Sequence, residues 1–419
     1  MKLSKFNIEH KIKEGLLLYN TLTSSIVLLE NDDISKYNNL KSSDEFPRTH
    51  IDLINELIDG GIIVSDNFNE FEYIKYINTV SRYKETGLRL TIAPTLNCNF
   101  ACPYCFENGV VNKTMSNDII SKVIDFIGDK LSKDDSLSIT WYGGEPLMSI
   151  DIIEKITTRI FEQNKEIKKN YFSDIITNGY LLDKEMALKL KNLGVNSAQI
   201  TLDGPPEIHD KRRYLTSGGE TFFTILNNLK ESCDILDLVI RINIDKSNRN
   251  EIDKLINILK KENLYDKVFI YIAKVNDFSN NANENILNKK EFSEVDSKFL
   301  NDNPNYYNIS DFNPFVCGAI NDNSFIIDPY GDLYKCWDDI GKKDFNVGNI
   351  SDGVSYNDTF LYYANYNPFL SKDCIECNIL PICMGGCPLE RKISGKNICR
   401  SKKYNIKKDM EIAFLKSNL

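Results

Sequence analysis

Three cysteines stand within one short stretch, Cys98-Asn-Phe-Ala-Cys102-Pro-Tyr-Cys105. Seven more follow late in the chain: Cys317, Cys336, Cys374, Cys377, Cys383, Cys387 and Cys399. Cys233 stands apart and reads as a small, semi-buried apolar residue. Thiols grouped this way either pair as disulfides in an oxidising compartment or bind metal in a reducing one. The start, Met1-Lys2-Leu3-Ser4-Lys5, has no apolar run behind it. No signal peptide is therefore expected, and the chain is expected to be cytoplasmic with reduced thiols. Structural zinc takes four closed ligands, and none of His10, His50 or His209 lies near the first trio. An iron–sulfur cube usually takes four cysteines, so three thiolates leave one iron open to a small molecule.

Elements must hold those thiols in place. The 419 residues carry 51 basic and 60 acidic side chains, a net charge of −9, which argues against a nucleic-acid-coating protein. Apolar stretches such as Gly15–Leu18 and Gly61–Val64 are far too short to span a bilayer, so no membrane partner is expected. Residues 1–84 read as two short strands within 14–30, a helix over 49–59 and a strand from Ile62, a winged-helix-like pattern. Residues 85–275 alternate. Strands are expected at Leu88–Pro94, Leu137–Tyr142, Phe172–Thr177, Ser197–Leu202, Leu238–Ile244 and Val268–Ile272. Helices are expected between them, at Asn117–Leu131, Ile150–Glu166, Lys184–Leu193, Glu220–Glu231 and Asn250–Glu262. Six such units imply an α/β fold, an open, partial (β/α)6 TIM-like barrel, with chemistry at the C-terminal strand ends. Residues 276–312 form a bridging segment with a helix near Lys289–Leu300, and 313–419 a cysteine-rich part held together by metal.

The cysteine trio, with Tyr104 before its last member, resembles the signature of the radical S-adenosylmethionine superfamily. Trp141-Tyr-Gly143-Gly144-Glu145-Pro146, at the end of the second strand, matches that family's Gly-Gly-Glu-Pro motif. The resemblance implies a 4Fe–4S cluster on Cys98, Cys102 and Cys105 whose open iron chelates S-adenosylmethionine. Reductive cleavage would then release a 5′-deoxyadenosyl radical. It also implies cofactor contacts at Tyr104, Gly143, Gly144, Glu145, Pro146, Asn178, Thr201, Asp203 and Arg213. The glycines would let backbone approach the methionine part of the ligand. Turn formation is an equally compatible role for Asn178 and Asp203, each followed by Gly, and Arg212 competes with Arg213.

The last seven cysteines resemble the full SPASM pattern, with Gly331 at its place between the first two. That implies two auxiliary 4Fe–4S clusters, three in all. Auxiliary cluster I takes Cys317, Cys336 and Cys387; auxiliary cluster II takes Cys374, Cys377, Cys383 and Cys399. Cluster I then lacks a fourth cysteine, and an open iron there could hold a substrate thiolate. A winged-helix-like part ahead of radical and SPASM parts resembles maturases of ribosomally made peptides (RiPPs) of the thioether-forming, ranthipeptide or sactipeptide, type. Expected partners are a cysteine-rich precursor with a leader and an electron donor such as flavodoxin or ferredoxin. Carbon–carbon cross-linking is the nearest alternative. Formylglycine formation, as in anaerobic sulfatase maturation, is another, though Trp337 stands where those enzymes carry an aspartate. A non-catalytic redox or peptide-binding scaffold would have no use for an open iron. Asp338, Asp339 and Tyr330 are candidate proton acceptors through nearness to Cys336.

Overall fold

A computed structural model of the chain describes residues 1–42, 50–84, 87–105, 107, 109–132, 135–276, 285–307, 312–314 and 317–417. The N-terminal part runs β1 (Lys2–Leu3), β2 (Asn7–Lys11), β3 (Leu16–Asn20), β4 (Ile26–Leu29), α1 (Asn31–Ser42), α2 (Ile51–Asp59), β5 (Ile63–Val64) and α3 (Glu70–Tyr83). β2, β3 and β4 make an antiparallel meander in that order, and β1 pairs with β5. The two strands expected within 14–30 are β3 and β4. The helix expected over 49–59 is α2, residue 49 lying outside the described residues. β2 was harder to read, because Asn-Ile-Glu-His-Lys holds a single apolar residue.

The alternating part runs β6 (Leu88–Thr95), α4 (Asn117–Lys130), β7 (Leu137–Gly143), α5 (Ile150–Gln163), β8 (Tyr171–Thr177), α6 (Lys184–Asn192), β9 (Val195–Thr201), α7 (Pro206–Arg212), α8 (Phe222–Ser232), β10 (Asp237–Ile244), α9 (Ile252–Lys261) and β11 (Val268–Lys274). All six expected strands form. Each neighbouring pair is parallel, as βαβ crossovers require. On β7 and β10 every second side chain is buried and mostly apolar, for example Ile139 and Trp141, or Ile240, Ile242 and Ile244; β8 buries Ser173 and Thr177 at such positions. The alternate positions are more polar: Thr140, Asp174, Gln199, Arg241 and Asn243. α5 stops at Gln163, short of the expected Glu166. There Asn164 leaves the helix and its side chain caps a 3₁₀ turn, accepting from Ile167 N–H at 3.2 Å. α7 is an addition, started by Pro206 at a position where a missing N–H costs nothing.

Beyond the barrel come α10 (Lys289–Asp302), β12 (Ser324–Ile327), β13 (Leu333–Tyr334), β14 (Gly348–Asn349), β15 (Gly353–Val354), α11 (Asp358–Ala364), α12 (Lys372–Ile375), α13 (Leu380–Cys383), α14 (Pro388–Ser394) and α15 (Lys402–Ser417). α10 is the helix expected near Lys289–Leu300, and Asn288 with Glu291 closes a capping box on it. β12 runs parallel to β6 and β13 antiparallel to β12, giving an eight-stranded sheet ordered β11-β10-β9-β8-β7-β6-β12-β13.

The chain packs as two compact units that cut across the expected segments. One holds Met1–Lys84, Asn288–Cys317 and Tyr366–Leu419; the other holds Glu85–Leu287 and Gly318–Asn365. Within the first unit, Ile8, Leu17 and Tyr19 of the meander share a core with Ile379, Ile382, Cys383, Ile406 and Met410. The other face of the meander packs Leu18, Val27 and Leu29 against Tyr37, Leu40, Leu53, Ile54 and Leu57 of α1 and α2. A small sheet with two apolar faces needs two covers, and the C-terminal cysteine segment supplies one of them. Among the described residues, no helix is long and apolar enough to cross a membrane.

Two glycines fix how β7 meets the loop after β6. A side chain at Gly144 would place Cβ 2.2 Å from the Asn97 carbonyl oxygen, and one at Gly143 (φ +108°) 2.3 Å from that of Thr95. Gly128, on the exposed side of α4, has nothing within 4 Å of the same position. Gly144→Ala is therefore expected to destabilise the chain by about 1–3 kcal/mol through forced backbone movement. Gly128→Ala is expected to stabilise it by about 0.5–1 kcal/mol through helix propensity. Urea unfolding of both variants under reducing conditions checks the opposite signs.

Candidate active site

The loop after β6 carries the first trio. Cys98, Cys102 and Cys105 are partly exposed, and none is in a disulfide. Burial pushes the Cys98 thiol up to about 12 and the Cys105 thiol to about 11. Burial raises Cys102 as well, with Arg213 opposing. Thiols held this high ionise when a bound metal supplies the positive charge. Among the described residues, no three Cys, His, Asp or Glu side chains close around a single ion. Structural zinc takes four ligands, whereas three thiols on one loop suit a multi-iron group with one iron left open.

Glu145 ties that loop to the sheet. Its backbone N–H donates to Asn97 O at 2.8 Å, and the N–H of Gly144 to Thr95 O at 3.2 Å. Its carboxylate is fully buried and accepts three bonds: Leu147 N–H at 3.0 Å, Thr177 Oγ1–H at 2.7 Å and Asn178 N–H at 2.7 Å. Burial raises its pKa, and those donors hold it down. Asn178 extends the tie. Its Nδ2 donates to Asn99 Oδ1 at 2.7 Å and lies 4.0 Å from Cys98 Sγ. The glycines were expected to make room for ligand; what the structure shows is that they make room for the loop's own backbone.

A second tie grips Tyr104. Its hydroxyl donates to Asp203 Oδ2 at 2.5 Å and accepts from Arg213 Nη1 at 2.9 Å. Arg212 is committed elsewhere, to Asp203 at 3.1 Å and Asp245 at 2.6 Å, with its guanidinium over the Tyr104 ring. Asp203 Oδ1 accepts from Asn243 N–H at 3.1 Å. The Asp203 carboxylate is thus filled by protein donors. Arg213 differs: its Nε is buried with no partner. Of the two arginines it is the one with hydrogen-bonding capacity left beside the loop. Burial holds His209 well below the usual histidine range, with both arginines adding to that. It is neutral, accepting from Asp203 N–H at 3.2 Å, so its Nε2–H faces Thr221 Oγ1 at 3.1 Å. Thr201 is buried at the end of β9, and Pro146 begins a 3₁₀ turn after Glu145.

The network of Arg212, His209, Asp245, Asn243 and Asn248 was not legible as a site. His209 and Arg212 lie on α7, Asn243 near the end of β10, and Asp245 and Asn248 in the loop after it, with no spacing that marks them. Glu107 was missed too. Burial pushes its carboxyl up to about 7, Lys342 pulling the other way, and its Oε1 has no hydrogen-bond partner. Its signal was a carboxylate two residues after the trio.

The later cysteines fall in both units. Cys336 belongs with the barrel, and Cys317, Cys374, Cys377, Cys383, Cys387 and Cys399 belong with the N-terminal unit. There, Cys383 and Cys377 are near enough to add to the burial that raises Cys374, and Cys317 adds likewise to that of Cys387. Lys403 Nζ lies 3.5 Å from Cys399 Sγ, and the charge of Cys399, with a lesser part from Cys377, raises that lysine. Gly386 (φ +86°) between Cys383 and Cys387 brings the chain against Ile398, where a Cβ would lie 2.2 Å from the carbonyl oxygen. Of the proton-acceptor candidates, Asp339 is buried and accepts from the Tyr363 hydroxyl at 3.0 Å. Asp338 Oδ2 lies 4.0 Å from Cys336 Sγ. Tyr330 sits under the ammonium groups of Lys113 and Lys343 at 5.6 and 5.7 Å. Trp337 packs on Tyr142 at 4.9 Å between ring centroids.

The chain is similar to known proteins over much of its length. The model of the radical SAM superfamily matches residues 92–271. A radical SAM cyclopropyl synthase, TigE, of Paramaledivibacter caminithermalis is 23% identical over 92% of this chain and 89% of its own. A cysteine-type anaerobic sulfatase-maturating enzyme of Clostridium novyi is 26% identical over 72% of this chain and 88% of its own. Among solved structures, anSMEcpe with bound AdoMet and the Cp18Cys peptide superposes with TM-score 0.63 at 19% identity, covering 80% of this chain and all of that one. Streptococcus suis SuiB bound to the precursor peptide SuiA gives TM-score 0.53 at 16% identity, over 92% of this chain and 95% of that one. With its three-cysteine loop, its buried Gly-Gly-Glu-Pro tie and its parallel half-barrel, the chain carries a radical SAM domain and is a radical SAM enzyme.

Proposed function

We propose that this enzyme matures a ribosomally made, cysteine-rich precursor peptide by forming thioether links. What a 4Fe–4S cluster and S-adenosylmethionine supply in this family is reductive cleavage of the sulfonium to a radical that takes hydrogen from C–H bonds. The chain's own residues then have three tasks. Glu145 and Asn178 hold the thiol loop; Arg213 offers its remaining donors to the cofactor's carboxylate; the N-terminal meander holds the peptide.

One observation carries the peptide reading: among the described residues, β4 pairs with β3 alone and leaves the meander an open edge. Asn20 N–H donates to Ser25 O, so the β3–β4 bonding pairs fall at Leu18–Val27 and Leu16–Leu29. The backbone groups of Ile26 and Leu28 then point away from β3. The opposite edge is engaged. Asn7 O accepts from Asn378 Nδ2 at 3.3 Å, and His10 of β2 bonds Glu411 of α15 at 2.7 Å. An extended leader can add to β4 as a further strand, the backbone giving affinity and alternate side chains specificity. Coverage supports an appended peptide-reading part. The match extends over 92% of this chain for TigE and SuiB, against 72% and 80% for the two sulfatase-maturating proteins.

A second reading is carbon–carbon bond formation, favoured by the cyclopropyl synthase that matches nearly the full chain. The products separate the readings. A thioether and a carbon–carbon link each remove two hydrogens, but only the thioether consumes a thiol. Formylglycine loses the sulfur. Mass spectrometry of the reacted precursor with and without thiol alkylation is expected to show two hydrogens and one alkylatable thiol lost per link. Loss of hydrogen with every thiol still alkylatable would establish the second reading.

Two variants test the parts separately. Leu28→Pro removes one outward N–H from β4 while leaving its pairing with β3 intact. Precursor affinity, measured by fluorescence anisotropy, is expected to fall about tenfold, the worth of about one hydrogen bond. Leu28→Ala keeps the N–H and is expected to bind within a few-fold of wild type; equal affinity for Pro and Ala variants would place the leader elsewhere. Replacing Cys98, Cys102 and Cys105 together by Ala should lower iron from about twelve to about eight per chain, if three cubes are loaded. 5′-Deoxyadenosine formation with dithionite should cease. Iron content that did not fall would contradict the assignment of this loop.

A further inference from the structure

We infer that the surface around Cys399, from Arg391 to Lys408, docks an acidic one-electron carrier protein. The inference rests on the proposed reading of Cys374, Cys377, Cys383 and Cys399 as the ligands of one cluster. In a chain of net charge −9, residues 391–408 hold eight basic side chains and no acidic one. Such a run is usually a solvated face with no assignment. Here three features set it apart.

First, the run encloses a cluster cysteine. Cys399 is partly exposed, and Lys403 points its Nζ at the sulfur. Second, the charges divide into structural and outward sets. Lys402 is spent inside the unit on Asp409 at 2.7 Å and Asp296 at 3.7 Å. Lys408 pairs with Glu411, and Arg391 lies over the Tyr366 ring at 5.6 Å. Lys396, Lys403 and Lys407 remain exposed, the last two at i, i+4 on one face of α15. Third, exposed apolar groups stand among them. Ile393 is 52% and Tyr404 53% exposed, the mixture of charge rim and apolar contact that a short-lived protein complex uses. The carboxylates near the other ligands are Asp373 and Glu376, and Asp373 is engaged by Asn397 Nδ2 at 3.3 Å.

The partner this surface selects is an acidic protein that gives up one electron, of the flavodoxin or ferredoxin class. The transfer balances simply: the reduced carrier loses one electron, the enzyme gains it, and no bond or proton moves. Charge steering makes such encounters fast and salt-sensitive, and lets the oxidised carrier leave. The precursor's leader has the β4 edge for its backbone and does not need this patch.

The experiment uses full-length, iron-loaded enzyme with Lys396→Glu/Lys407→Glu, two residues that touch no cysteine in the structure. Binding of an acidic flavodoxin is measured by titration calorimetry at low and at high salt. At low salt the double variant is expected to lose about tenfold or more in affinity, and at high salt the difference should shrink as the charges are screened. Iron content and dithionite-driven 5′-deoxyadenosine formation should equal wild type, while the flavodoxin-driven rate falls with affinity. Unchanged flavodoxin affinity in a variant with full iron would overturn the docking surface. So would a variant that loses precursor affinity and keeps flavodoxin affinity. Failure of the underlying reading looks different: Cys374→Ala/Cys377→Ala would then leave iron content at the wild-type value.

Discussion

The site depends on one buried carboxylate. Glu145 is taken out of water with no cation bonded to it, and it is held by three N–H or O–H donors from its own turn and from the end of β8. A buried charge kept this way is worth having only when every donor is in place, since loss of one leaves the rest uncompensated. Its own backbone N–H holds Asn97, so the loop of thiols is fixed by the same residue. The two glycines before it are the steric condition for that approach. Sheet end, turn and loop therefore form or fail together.

Around this tie the barrel provides rigidity rather than chemistry. Its helix-facing positions are aliphatic and buried, and its other face carries the polar groups. Tyr104 reaches across to Asp203 and is gripped by Arg213, so the loop is held from β9 and the segment after α7 as well as from β7. Two independent anchors on either side of three thiols are what precise placement of a reactive cofactor requires.

Much of this could be read from the chain itself, and the reasons are physical. The six strands showed because short apolar-rich runs alternate with helical patterns along the chain, and the thiol loop showed because its ligand spacing is local. The motif residues from Gly143 to Pro146 were legible by type, while the Glu145 contacts to Thr177 and Asn178 were not, since they join distant residues. Arg212 and Arg213 could not be told apart by spacing; the structure separates them by their partners. The division into segments read differently from the packing. The sequence suggests a cysteine-rich part at 313–419, whereas 318–365 pack with the barrel and 366–417 with the N-terminal part. No periodicity reveals that Ile8 and Tyr19 share a core with Met410. One consequence is that the meander and Cys374, Cys377, Cys383 and Cys399 belong to one folding unit. Removing residues 1–84 would strip the core from beneath Cys383, so truncation is a poor probe of leader binding.

The central claim is that a peptide C–H bond is the one broken in this site. The direct measurement is isotope transfer. A synthetic cysteine-rich precursor peptide, deuterated at its non-exchangeable carbons, is incubated with enzyme, S-adenosylmethionine and reductant in unlabelled water. Deuterium in the 5′-deoxyadenosine formed is the result expected. 5′-Deoxyadenosine formed in quantity with only protium, alongside modified peptide, would contradict the account.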